Sequence, residues 1–185
     1  MRCKICSETA VAEVPQHRMA LCRDCYVDWF PRYSARTISK FQMLSPEARV
    51  LVAVSGGKDS QALWTVLVEL GYQADGMVID LGIGDDGLAA DRGSGYSAES
   101  CDHVRELAAQ LRRPLWEIDL RRVLERTIPE VRRGQRQVCS ACGVVKRYLM
   151  NRVAYEGGYD CVATGHNLDD EVAALFGNVL SWDTY

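Results

Sequence analysis

Ser55-Gly56-Gly57-Lys58-Asp59-Ser60 constrains this chain more than any other stretch. It follows VLVAV at 50–54, an apolar run with the character of a buried parallel strand, and precedes 61–70, which has helical periodicity. Strand, glycine turn and helix together present backbone N–H groups and a positive helix end to a phosphate. The two glycines let the main chain approach an anion closely, and Lys58 adds a positive charge. The sequence is not a Walker A loop. That loop needs a glycine where Val52 stands and Ser or Thr after the lysine, where Asp59 stands. Asp59 is placed to hold Mg²⁺ or to orient a pyrophosphate.

From residue 49 onward, strand-like and helix-like segments alternate. Strands are expected at 50–54, 74–79, 114–118 and 159–163, and helices at about 58–70, 97–111, 120–131, 142–156 and 168–180. The pattern predicts an α/β domain, a parallel sheet covered by helices on both faces, with ligands beyond the C-terminal strand ends. Gly82-x-Gly84-x-x-Gly87 matches a dinucleotide fingerprint only by letter, because it opens no helix. Residues 82–96 read instead as a mobile loop near the site, a lid.

Three domains are expected: 1–30, a Cys₄ zinc-binding unit; 31–48, a linking helix; and 49–185, the phosphate-binding domain. Cys3-x-x-Cys6 and Cys22-x-x-Cys25 are separated by fifteen residues, so a hairpin between two knuckles gathers four thiolates around tetrahedral Zn²⁺. Such a segment has no core, so metal binding supplies much of its folding energy. His17 reads as a surface residue, and two disulfides are the alternative. The linking helix reads from 26 to 49, with Trp29, Tyr33, Ile38 and Phe41 on a rough apolar stripe and Pro31 interrupting its start.

Net charge is −3, yet 105–152 carries twelve Lys/Arg against five Asp/Glu. This local excess fits either a phosphate-backbone contact surface or a solvated helix face of Arg–Glu pairs, and charge alone leaves both open. No apolar stretch reaches membrane-spanning length and no signal-peptide pattern opens the chain, so a cytoplasmic protein with no membrane association is expected. Six of the eight cysteines fall in Cys-x-x-Cys pairs, which in that compartment favours metal or redox chemistry.

Cys139-Ser140-Ala141-Cys142-Gly143 opens a predicted helix that carries Lys146 and Arg147. Helix start and cations favour thiolates, which suit a redox pair, a persulfide or metal ligation. Cys101 and Cys161 read as structural. Gly165-His166-Asn167-Leu168-Asp169-Asp170-Glu171 follows the last strand and starts the next helix, which Asn167 or Asp169 caps. Three carboxylates crowded there suit a cation such as Mg²⁺, and His166 is placed to face a base.

SGGKDS, the four-cysteine unit, CSACGVVKRYLMN and ATGHNLDDE, in that order, resemble the tRNA 2-thiolation enzymes of the PP-loop superfamily, the ATP pyrophosphatases that cleave between the α- and β-phosphates. Within it the chain looks most like the TtuA-type 2-thiouridine synthetases, which act on the T-loop uridine. Enzymes acting on the wobble uridine or on cytidine are less similar. The resemblance implies that Ser55, Gly56, Gly57, Asp59 and Ser60 hold the ATP phosphates, with Ala53, Ile79, Gly165 and His166 near the nucleoside. It implies Cys139 and Cys142 as ligands of a [4Fe–4S] cluster, and Lys58, Lys146 and Asp170 around the reacting groups, with Asp59 and Asp170 available to Mg²⁺. It further implies tRNA as substrate and a ubiquitin-like sulfur carrier with a C-terminal thiocarboxylate as partner. Such enzymes often form homodimers, although no feature of this sequence bears on that. The family's third cluster cysteine and a second zinc unit lie beyond the GHNLDD helix. This chain stops at Tyr185, so an incomplete cluster is expected, and a non-catalytic ATP- and tRNA-binding protein is one alternative. Another is an ATP-dependent amidating or lysine-ligating enzyme, which has no need of the cysteine pair.

Overall fold

The computed structural model describes residues 1–82, 96–125 and 138–181, without the side chains of 96, 97, 138–141 and 181. The loop expected at 82–96 and the continuation of a helix to 131 lie almost wholly outside the described residues. Two compact units are present, 1–46 and 47–185.

In the first unit β1 (Ala12–Val14) and β2 (Met19–Leu21) form an antiparallel hairpin, turned by a short 3₁₀ segment at Pro15–His17. Cys22 caps α1 (Arg23–Lys40), so Cys25 sits in its first turn. The helix begins three residues before the expected start at 26, ends at Lys40 rather than 49, and runs through Pro31 without a break. Proline removes one bond, to the carbonyl of Val27, and Val27 is exposed. His17 is not the free surface residue expected. Its ring lies edge-on to Tyr33 and Trp29, with centroids 4.5 and 5.4 Å away, while Trp29 stacks on Tyr33 at 4.9 Å. This aromatic cluster is only partly covered, and the buried residues of the unit are Cys3, Val14, Ala20 and Leu21.

The second unit is a four-stranded, all-parallel sheet of β3 (Arg49–Ala53), β4 (Gln73–Asp80), β5 (Leu115–Asp119) and β6 (Cys161–Thr164), in the order β5-β4-β3-β6. The helices are α2 (Lys58–Glu69), α3 (Tyr96–Leu111), α4 (Leu120–Leu124), α5 (Val138–Glu156) and α6 (Leu168–Ser181). Val50, Leu51 and Val52 are fully buried, as a central parallel strand requires. Side chains alternate between faces. Leu51 and Met77 share a cluster with Leu149, Val153 and Ala154 of α5. On the other face Trp64 of α2 lies over Gly76, where a β-carbon would come within 2.3 Å of the indole ring, and the indole N–H donates to the Ala74 carbonyl at 3.1 Å. Helices thus cover both faces, as expected.

The chain runs outward from β3 to β4 to β5 and then returns to β6 on the far side of β3. A crevice opens where the order reverses, beyond the carboxyl ends of β3 and β6. No helix among the described residues is long and apolar enough to cross a membrane.

Candidate functional site

The 55–60 loop leaves β3 at that crevice and passes into α2, with Gly57 as N-cap. It is held by its own side chains. Ser60, buried, accepts from the Ser55 N–H at 3.1 Å and donates to the Gly57 carbonyl at 3.0 Å, and Gln61 donates to the Gly56 carbonyl at 2.6 Å. The first helical N–H groups of α2 have no acceptor within the helix and face outward. Gly56 has φ +81°, and a β-carbon there would lie 2.9 Å from the Ser100 carbonyl of α3. Only glycine fits both the conformation and the space. At the end of β6, a β-carbon on Gly165 would lie 2.6 Å from Ser60 Cα, so glycine again permits backbone contact.

A cavity of about 710 Å³ fills the crevice. That is within the range of small-molecule sites. The expected residues Ala53, Ser55, Gly57, Lys58, Asp59, Ser60, Ile79, Lys146, Gly165, His166 and Asp170 all line it. Gly56 turns the chain behind the lining. Cys142 is half-buried on the neighbouring side of α5, against the apolar cluster. The helix begins at Val138, so Cys139 and Cys142 stand at i and i+3 in its first turns. Two thiols at that spacing are a partial ligand set for an iron–sulfur cluster.

Lys58 Nζ lies 2.7 Å from Asp59 Oδ1. This bond holds the Asp59 carboxyl below its ordinary range and raises the Lys58 ammonium. Asn167 and Asp170 cap α6 reciprocally: the Asn167 N–H donates to Asp170 Oδ2 and the Asp170 N–H to Asn167 Oδ1, each at 3.0 Å. The expected three-carboxylate cation site at 169–171 does not form among the described residues. Successive helical side chains diverge by about 100°, one Asp170 oxygen is taken by the cap, and Glu171 approaches His166 Nδ1 at 3.5 Å. Asp59 and Asp170 still share the cavity wall.

Sequence reasoning missed Ser100, Met77 and Met150, which also line the cavity, as do Cys101, read as structural, and Arg147, read only as a cation beside the thiols. Gly143, Lys146, Arg147 and Met150 follow i, i+3, i+4, i+7, a spacing that marks one helix face. No local signal announces Ser100 and Cys101, which α3 brings in from a distance. Cys101 is buried, as its structural reading required, and burial pushes its thiol up to about 11. Burial also raises the Cys161 thiol. The basic run is largely paired where described: Arg105 with Glu117 and Asp102, Arg113 with Asp75, Arg122 with Asp119, Arg152 with Glu156. For these residues the ion-paired alternative is the observed one, while Arg126, Arg132, Arg133 and Arg136 lie outside the described residues.

In the first unit the sulfurs of Cys3, Cys6, Cys22 and Cys25 all lie within 4.8 Å of one another. Tetrahedral Zn–S bonds of about 2.3 Å place sulfurs roughly 3.8 Å apart, so the set fits zinc. Backbone N–H groups, that of Cys22 foremost, lower the Cys3 thiol to about 6. The neighbouring sulfurs, that of Cys6 foremost, raise the Cys25 thiol, so four thiolates this close require a cation between them.

Residues 32–179 match the family model described as the PP-loop domain, and residues 2–27 match that of the 2-thiouridine synthetase TtuA N-terminal LIM domain. The chain is 48% identical over 182 residues to the tRNA-5-methyluridine(54) 2-sulfurtransferase of Thermus thermophilus, covering 98% of this chain and 54% of that protein. It is 40% identical to the protein of the same name from Pyrococcus horikoshii, covering all of this chain and 56% of the relative. The chain therefore spans about half the length of these relatives. Among solved structures, the U34-tRNA thiolase NcsA from Methanococcus maripaludis with its [4Fe-4S] cluster superposes with a TM-score of 0.79 at 24% identity, covering the whole chain and 59% of the thiolase.

Proposed function

The chain belongs to the PP-loop family, and on that premise we propose that it is an ATP-dependent tRNA 2-thiolation enzyme acting on a T-loop uridine. One observation carries the reading: the 55–60 loop, the Gly165 turn and the α5 face bearing Lys146 converge on a single cavity. The names of the two relatives favour the T-loop uridine.

The uracil C2 oxygen attacks the α-phosphorus of ATP. The new oxygen–phosphorus bond forms as the bond to the bridging oxygen breaks, and pyrophosphate leaves with that electron pair. Adenylation is needed because a carbonyl oxygen is a poor leaving group and AMP a good one. The outward N–H groups at the start of α2 and nearby cations stabilise the charge that builds on the phosphates. A sulfur nucleophile then adds at C2 and AMP departs with its oxygen. Asp59 and Asp170 are the carboxylates available to the Mg²⁺ that accompanies ATP. Cys139 and Cys142 are the residues that would hold a [4Fe–4S] cluster, whose open iron supplies a binding site for hydrosulfide. Sulfur delivery by a carrier protein ending in a thiocarboxylate suits this chemistry, since it hands over sulfur at the hydrosulfide level. A reducing compartment keeps the four N-terminal thiols available to zinc.

An anaerobic single-turnover assay with labelled ATP, unmodified tRNA and sulfide tests the reading, scored for AMP and thiolated nucleoside together. Both products together support the reading, and Cys142→Ala is expected to abolish thiolation while sparing ATP binding. A fully active Cys142→Ala variant overturns the proposed sulfur chemistry. Because the chain spans about half of its relatives, a second reading stands beside the first, a non-catalytic ATP- and tRNA-binding protein. ATP and tRNA bound without AMP release selects it.

A further inference from the structure

The loop's own cation is already matched, since Lys58 is paired with Asp59 at 2.7 Å. The unmatched positive charge is across the cavity, on α5. Lys146 and Arg147 both line the cavity, and among the described residues neither has a hydrogen-bonding or ion-pairing partner. This sets them apart from Arg105, Arg113, Arg122 and Arg152 on the same basic run, each of which holds a carboxylate.

Arg147 also has a seat. Long helical side chains lean toward the helix N-terminus, and one turn back from Arg147 stands Gly143. A β-carbon built there would lie 3.5 Å from Arg147 Nη1 and 3.7 Å from Nη2. The guanidinium thus rests against a bare turn of helix on the cavity wall. A guanidinium presents a planar fork that binds two phosphate oxygens at once, whereas an ammonium acts as a point charge.

We propose that Arg147 is the phosphate-binding group of this cavity, gripping the β- and γ-phosphates of ATP and neutralising the pyrophosphate as it leaves. The inference rests on the ATP-dependent reading above and extends it to a residue that the loop motif does not contain. When the bond between the α-phosphorus and the bridging oxygen breaks, the electron pair stays on that oxygen. Charge accumulates on the leaving group, and Arg147 meets it without a proton changing hands. Lys146, one residue earlier on the same wall, is left for the reacting base.

Equilibrium binding of ATP, inorganic pyrophosphate, adenosine and tRNA to the wild type, Arg147→Ala and Arg147→Lys tests this. Arg147→Ala is expected to weaken ATP and pyrophosphate about 10–100-fold, the scale of a lost charge-assisted pair, and to leave adenosine unchanged. Arg147→Lys is expected to restore only part of the loss. Gly143→Leu, which fills the guanidinium's seat but keeps the arginine, is expected to reproduce the Arg147→Ala pattern. Unchanged ATP and pyrophosphate affinity in Arg147→Ala overturns the proposal, as does a loss confined to tRNA, which would assign the arginine to an RNA phosphate. A wild type that binds neither ATP nor adenosine overturns the ATP-dependent reading itself, a different result from either.

Discussion

Gly165 meets Ser60 backbone to backbone: a β-carbon on Gly165 would stand 2.6 Å from the Ser60 α-carbon and 2.7 Å from its amide nitrogen. The end of β6 is thereby pressed against the first turn of α2, and the two halves of the crevice share one edge. Gly165→Ala must push the phosphate loop away from the strand. The expected outcome is at least a tenfold loss of ATP affinity by calorimetry, larger than the fall in thermal stability explains.

Trp64 and Gly76 make a second contact of this kind, inside the core. Gly76→Ala places a methyl group 2.3 Å from the indole ring, well inside van der Waals contact. Overpacking of this type costs about 1–3 kcal/mol. In a domain of this size each kcal/mol lowers Tm by about 2–4 °C. Thermal denaturation with Trp64→Phe as background checks the cause, since the smaller ring is expected to relieve part of the loss.

At the end of the sheet opposite the cavity, Asp75 is buried and accepts from Arg113 at 2.6 Å and from the Tyr159 hydroxyl at 2.8 Å, which in turn accepts from Trp116. Arg113→Ala strands a buried carboxylate and is expected to cost about 3 kcal/mol. Removing both partners, as in Arg113→Ala with Asp75→Asn, is expected to be milder. ATP affinity at 20 °C is expected to be unchanged in both, because this network lies away from the site.

The buried Cys101 thiol carries a pH signature. Its folded value of about 11 lies above the ordinary 9.0, so the folded state keeps a proton that the unfolded state loses. Its contribution is fully present below pH 9 and disappears as pH rises toward 11. A shift of this size corresponds to about 1–3 kcal/mol. Denaturant titrations from pH 8 to 11 are expected to show a shallower decline for Cys101→Ala than for the wild type.

Zinc removal is expected to act on the first unit. The four sulfurs within 4.8 Å gather the hairpin and the start of α1, and little apolar core supports them otherwise. Chelation, or Cys25→Ala, is expected to release one zinc per chain and to alter Trp29 fluorescence as its stacking on Tyr33 is lost. Unchanged fluorescence after complete zinc loss would show that the aromatic cluster holds the unit alone.

The amino-acid sequence by itself determined whatever depends on near neighbours along the chain. VLVAV running into SGGKDS dictates strand, phosphate loop and helix, because burial, glycine conformation and helix start are local properties. The two Cys-x-x-Cys knuckles dictate a four-thiol cluster for the same reason. The alternation from residue 49 onward likewise carries the parallel sheet. Tertiary structure decided which distant segments meet. The return of β6 beside β3 brings Gly165 against Ser60, and α3 supplies Ser100 and Cys101 from a region with no motif. The α6 cap commits one oxygen of Asp170, where the sequence offered three equivalent carboxylates. Lys58 and Arg147 are both basic in sequence; the first is paired with its chain neighbour Asp59, and only folding brings the second from a distant helix to face the same cavity. Charge along a chain is additive, but its availability depends on which opposite charge the fold places within reach.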